Sequence, residues 1–187
     1  MKQTFIILCV LLSLVSCSNN ENKNIKNSVL DVSIGDNRAE CKEKLDKQGY
    51  RWEEKDMLLP NITIKEPVMI DSIGFDNVDY MFFDAKVVMI SLDNKYYSQK
   101  EAQDAFSKID KVISDKYLQF KTERKVDMCL NFSEYDDGIT NLTVMLIYHP
   151  EEEVPLLLQD AETLEMAKES WNLNVMYSAT QKKTEKK

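Results

Sequence analysis

Four short apolar runs between Ile62 and Leu92 are separated by breaks that leave the chain little freedom. They are "ITI" (Ile62 to Ile64), "MIDSIGF" (Met69 to Phe75), "VDYMFF" (Val78 to Phe83) and "VVMISL" (Val87 to Leu92). The last two are joined by Asp84, Ala85 and Lys86 alone, whereas a parallel crossover needs about a dozen residues. The runs must therefore turn back on one another as antiparallel hairpins.

Helices flank this block. "SQKEAQDAFSKIDKVISDKY" carries Ser98 and Glu101 at capping-box spacing. Ala102, Ala105, Phe106, Ile109, Val112, Ile113 and Tyr117 recur along one helical face, and that face must be covered. Upstream, "SIGDNRAECKEKLDKQGY" offers Asp36 or Asn37 as an N-cap and Gly49 as a C-terminal stop, with a thin stripe of Cys41 and Leu45. Downstream, strands are expected at Val126 to Phe132 and Leu142 to Tyr148, around a turn at Asp137 and Gly138. Pro155 suits the first turn of a third helix through Leu157, Ala161, Leu164 and Ala167 towards Trp171, followed by a last strand at Leu173 to Tyr177.

This order predicts an α+β fold. It is one internally repetitive domain over residues 29–179, with an antiparallel sheet of about six or more strands and two to three packed helices. Residues 180–187 form a basic tail expected to fray.

Strand parity predicts one apolar face from Val78, Tyr80, Phe82, Val88, Ile90, Leu92, Val126, Met128, Leu130, Phe132, Leu142, Val144, Leu146 and Tyr148. The opposite face receives Met81, Phe83, Val87, Met89, Cys129, Met145 and Ile147 among Asp79, Ser91, Asp127, Asn131 and Thr143. A sheet with one wet side alternates cleanly between apolar and polar, and this one does not. Met81, Phe83, Met89, Met145 and Ile147 are thus a candidate binding surface, because methionine repacks around different partners. Burial of that face under a helix is the plainer reading of the same residues.

The chemistry-bearing residues are sparse. With 24 Lys+Arg against 32 Asp+Glu, the net charge is -8 and no basic stripe favours nucleic acid. The four glycines form no phosphate-binding cluster. His149, the sole histidine, precedes Pro150 and the run Glu151 to Glu153. A histidine beside carboxylates suits acid–base chemistry, but no nucleophile or ligand spacing accompanies it. The aspartates at 76, 79, 84 and 93, and the trio Glu134, Asp136 and Asp137, match no EF-hand. Cys41 and Cys129 show no CxxC pattern, and Cys41 belongs to an apolar stripe, so two separate thiols are expected. Neither a metal, a cofactor nor a catalytic residue is assigned.

The strongest signal is at the amino terminus. Lys2 precedes the apolar stretch Thr4 to Ser16, too short to span a bilayer, and Leu14, Val15, Ser16 and Cys17 close it. These four residues resemble a bacterial lipobox. The resemblance implies a signal peptide at 1–16 and lipidation of Cys17, with two or three acyl chains holding the protein on a membrane. Residues 17–28 are then the lipidated cysteine and a polar, Asn-rich tether. Ser18 stands where an aspartate retains enteric lipoproteins in the inner membrane, which favours an outer-membrane lipoprotein, periplasmic or surface-facing. The tether, with its lone Glu21, is similar to those of Bacteroidota lipoproteins.

The "IGDNRAECKEKL" opening, followed by a meander, resembles lipoproteins of the outer-membrane-assembly accessory type and the β-lactamase-inhibitor-like fold. That resemblance implies a layered α+β body and binding rather than catalysis. The expected function is a non-catalytic, lipid-anchored cell-envelope module that binds another protein or an envelope component. A carboxylate-dependent hydrolase of envelope or glycan substrates and an inhibitor or immunity protein are the alternatives.

Overall fold

The computed structural model describes residues 24–55, 59–70, 73–122, 126, 129–151 and 168–180. The chain begins with a tight hairpin, β1 (Ser28–Val29) and β2 (Val32–Ser33), and enters helix α1 (Arg38–Gln48). Asn37 caps this helix through a complete capping box with Glu40, and Gly49 ends it at φ 79°. Here local chemistry alone places both ends.

Strands β3 (Glu53–Lys55) and β4 (Asn61–Ile64) follow, then a small hairpin of β5 (Val68–Ile70) and β6 (Ile73–Phe75), then β7 (Asn77–Phe83) and β8 (Lys86–Tyr96). Helix α2 (Gln99–Tyr117) comes next; the Ser98 hydroxyl accepts from the Glu101 N–H at 3.5 Å. The chain closes with β9 (Lys121–Thr122), β10 (Asn131–Asp136), β11 (Thr140–His149) and β12 (Ser170–Ala179).

Eight of these strands form one antiparallel sheet in the order β3-β4-β7-β8-β12-β11-β10-β9. The order is a repeat. Each half is a helix followed by four sheet strands, and the final strand of each half, β8 and β12, meet at the centre. The fold is α+β, as expected.

Both helices pack on the same side. Ala102, Phe106, Ile109 and Ile113 of α2 are buried with Leu142, Val144, Leu146, Leu173 and Val175, while Cys41 and Leu45 of α1 join Ile62, Ile64 and Tyr80. The Tyr80 hydroxyl, at the bottom of this core, donates to the Val29 carbonyl at 3.1 Å, so β1 is tied to the centre of the sheet.

Several boundaries depart from the sequence reading. The run Met69 to Phe75 is a hairpin rather than one strand. Of the strand expected at Val126 to Phe132, Asn131 and Phe132 open β10, Val126, Cys129 and Leu130 are not in a strand, and Asp127 and Met128 lie outside the described residues; "SEYD" pairs with β11 instead of turning. Phe132 consequently faces Met145, on the side away from the helices, and Tyr135 enters the core. Leu130 and Tyr148, assigned to the apolar face, are exposed. Val87 and Val88 exchange roles because a bulge between Met81 and Phe82 pairs Phe82 with Val87, which is buried. Trp171 lies in β12 rather than at the end of a helix. The expected third helix falls almost wholly outside the described residues, as do Cys17 and the tail beyond Thr180. Ile25 is already buried, its N–H held by Asp137 at 2.6 Å, so ordered chain begins within the stretch whose composition reads as tether.

Candidate functional site

Register places the residues of the second sheet face without ambiguity. One row runs across all eight strands: Glu53, Thr63, Asp79, Ser91, Met176, Thr143, Glu134 and Thr122. Beside it runs Lys55, Asn61, Met81, Met89, Ser178, Asn141 and Asp136. On the other flank lie Asn77, Asp93, Asn174, Met145 and Phe132. Among the described residues, neither helix packs on this face.

The five candidate residues are only partly united. Met81 and Met89 are direct cross-strand partners. Met145 and Ile147 share the face but sit on β11, with β12 intervening, so about 14 Å of sheet separates β7 from β11. Phe83 lies at the end of β7, 62% exposed. Met176, between the two groups, and Asn172 and Asn174 beside it complete the surface. Asn174 and Met176 alternate with Leu173 and Val175 inside the last strand expected from the sequence, and only Asn172 falls before it.

Polar groups on this face are organised in two similar sets. In the first half, Asp79 accepts from Asn61 Nδ2 at 3.2 Å and from the Thr63 hydroxyl. In the second half, Glu134 accepts from Asn141 Nδ2 and the Thr122 hydroxyl, both at 2.8 Å. A carboxylate held by one amide and one threonine thus recurs on each side of the central strands. Between them Asp93 accepts from the Ser91 hydroxyl at 3.1 Å. Burial pushes the Asp93 carboxyl up to about 6; the Ser91 bond opposes this, and the nearby negative charge of Asp79 adds to it.

Two amide oxygens on the face are buried without a partner among the described residues: Asn61 Oδ1 and Asn172 Oδ1. The orientation of Asn61 follows from chemistry, since only its Nδ2 can donate to the Asp79 carboxylate. Each such acceptor costs on the order of 1–3 kcal/mol until a donor reaches it.

The other flagged residues do structural work. Asp137 accepts from the N–H groups of Ile139 and Thr140, besides that of Ile25, and so builds the β10–β11 turn. Asp136 holds the Gly138 N–H and the Thr180 hydroxyl. Asp84 is a turn residue between β7 and β8. His149 is exposed at the end of β11, opposite Ser170. Cys41 and Cys129 are both free thiols, and burial pushes Cys41 up to about 12, which makes it a packed apolar group rather than a nucleophile. Among the described residues, no group of histidine, cysteine and carboxylates is arranged to hold a metal, and no helix is long and apolar enough to cross a membrane.

Comparison with protein-family models, curated proteins and solved structures returns no match to this chain.

Proposed function

We propose that the chain is a non-catalytic, lipid-anchored module of the bacterial cell envelope, held by acyl chains on Cys17, that receives a protein or envelope component on the sheet face opposite its helices. The observation that supports the docking face is that, among the described residues, no helix covers its half-buried methionines; two buried amide oxygens on it, Asn61 Oδ1 and Asn172 Oδ1, have no partner among the described residues. Native proteins rarely leave such groups unsatisfied. Their shared face also carries Met81, Met89, Met145 and Met176, whose flexible side chains adapt to an incoming surface. A partner that presents an apolar contact surface matches these methionines.

Two measurements test the reading. Intact-mass analysis of the mature protein is expected to find diacylglycerol on Cys17 at the new terminus; an unmodified chain recovered in the aqueous fraction refutes the anchor. A photo-crosslinking residue at Met89 is expected to trap one discrete adduct in intact cells. The same residue at the exposed Lys108 of α2 should trap none. Equal adducts from both positions, or none from Met89, refute the docking face.

A further inference from the structure

The first and last described segments are fastened to the same end of the large sheet. On the amino side, Asp137 of the β10–β11 turn accepts the Ile25 N–H at 2.6 Å, and the Tyr117 hydroxyl, at the end of α2, accepts the Lys26 N–H at 3.4 Å. On the carboxyl side, the Thr180 N–H donates to the Ile139 carbonyl at 2.9 Å and its hydroxyl to Asp136 at 2.7 Å. Cys17 and residues 181–187 are therefore joined to the body at one turn. The β7–β8 turn shares this end, because β8 starts where its partner β12 finishes.

Three large apolar side chains are exposed there: Phe83 at the end of β7, 62%, Ile139 in the β10–β11 turn, 62%, and Leu118 just past α2, 64%. Scattered singly, such residues need no explanation; these surround the point where the chain leaves the body. The two turns themselves carry Asp84, Asp136 and Asp137 beside Lys86, so the described rim is not basic. The stretch that follows it is. Residues 181–187 hold Lys182, Lys183, Lys186 and Lys187 against the single carboxylate of Glu185, in a chain of net charge -8.

We propose that this end of the sheet rests on an anionic lipid bilayer. Phe83, Ile139 and Leu118 enter the headgroup layer, and the four lysines lie on anionic headgroups beside the acylated Cys17. The proposal rests on the anchor proposed above and adds a second signal to it, since acyl chains and a polybasic stretch together hold a protein more firmly than either does. Chain length supports the orientation. Cys17 is at most ~28 Å of extended chain from Ile25, whereas the ten residues of β11 carry His149 roughly 33 Å from the anchored turn. A body standing on its far end would outreach the tether. With the strands running away from the membrane, the methionine face opens sideways, where a partner can reach it.

The test uses the mature acylated chain, ¹³C-labelled at isoleucine δ1 methyls, in nanodiscs that carry a gadolinium chelate on a lipid headgroup. One set is phosphatidylcholine alone, and the other contains phosphatidylglycerol as well. Ile139→Val and Ile147→Val assign the two reporters, which β11 holds roughly 26 Å apart. In the anionic discs, relaxation enhancement at Ile139 is expected to be at least tenfold that at Ile147. Lys182→Glu, Lys183→Glu, Lys186→Glu and Lys187→Glu together should lower it at least threefold there and leave the phosphatidylcholine value unchanged. Intact mass of the same sample reads the anchor separately. An acylated chain with Ile147 broadened as much as Ile139, or a charge-reversed variant that behaves as the parent, overturns this orientation and leaves the anchor standing. An unmodified mass withdraws both.

Discussion

Tyr135, the penultimate residue of β10, donates its hydroxyl proton to the Asp110 carboxylate of α2 at 2.6 Å. The bond joins the second helix to a strand that local sequence does not announce. Lys121 reaches the same carboxylate at 3.3 Å. Desolvation raises the Asp110 carboxyl, but the bonds from Tyr135, Ser133 and Lys121 together outweigh it and hold the group below its ordinary range.

Removing that hydroxyl leaves the carboxylate one donor short in a half-buried site. Tyr135→Phe is expected to cost about 1.5–3 kcal/mol in urea unfolding at neutral pH, the range for a bond to a charged group. Because the folded Asp110 is depressed, its contribution is present above the unfolded value near 4 and is lost as pH falls through the folded value. The deficit of the variant should therefore shrink on acidification. A constant deficit from pH 7 to pH 2 would contradict the assignment.

Asp93 has the opposite sign. Its folded carboxyl, pushed up to about 6 by burial first and by Asp79 in addition, favours the protonated state. Stability from this group is full below the unfolded value near 4 and is lost as pH rises through about 6. Asp93→Asn is expected to gain on the order of 2 kcal/mol at pH 7.5 and little at pH 4. Urea midpoints at the two pH values measure the difference.

The β7–β8 turn puts Asp84 and Ala85 at φ 49° and 60°, the geometry Asn-Gly favours. Relief of the left-handed strain at Ala85 exceeds the entropy glycine adds to the unfolded chain. Asp84→Asn with Ala85→Gly is expected to raise stability by about 0.5–1 kcal/mol. The Arg38 N–H bond to the carbonyl of residue 85, at 3.2 Å, is backbone and should survive. Thermal unfolding of the double variant checks this.

The first helix rests on its caps more than on its thin apolar stripe. Asn37→Ala removes the acceptor for the Glu40 N–H at 2.9 Å and should cost about 1 kcal/mol. Asn37→Ser should restore most of it, and denaturant titration of the two variants separates capping from packing.

The thiols of the body differ in access. Cys41 is fully buried and Cys129 partly exposed. A disulfide reagent should label Cys129 in the native protein and reach Cys41 only at the rate of unfolding. Simultaneous labelling would place Cys41 outside the core.

What the sequence determined by itself is local. Asp36 or Asn37 at its start and Gly49 at its end bound α1, Ser98 starts α2, and the apolar spacing from Ala102 to Ile113 names the buried face of α2, because helix signals are carried within one or two turns. The three-residue break Asp84 to Lys86 likewise required a hairpin. Partnership between β8 and β12 is different: Leu92 meets Val175 across 83 positions, and no local spacing encodes such a pairing.

The same holds for the register of β10, where "SEYD" reads as turn chemistry until Tyr135 is seen to reach Asp110. It holds also for the bulge that turns Val87 inward, since parity cannot anticipate a skipped residue. Met81 and Met145 could be assigned to one face from alternation. That Asn61 and Asn172 bury, on that face, oxygens without a partner among the described residues was decided only when distant segments packed together.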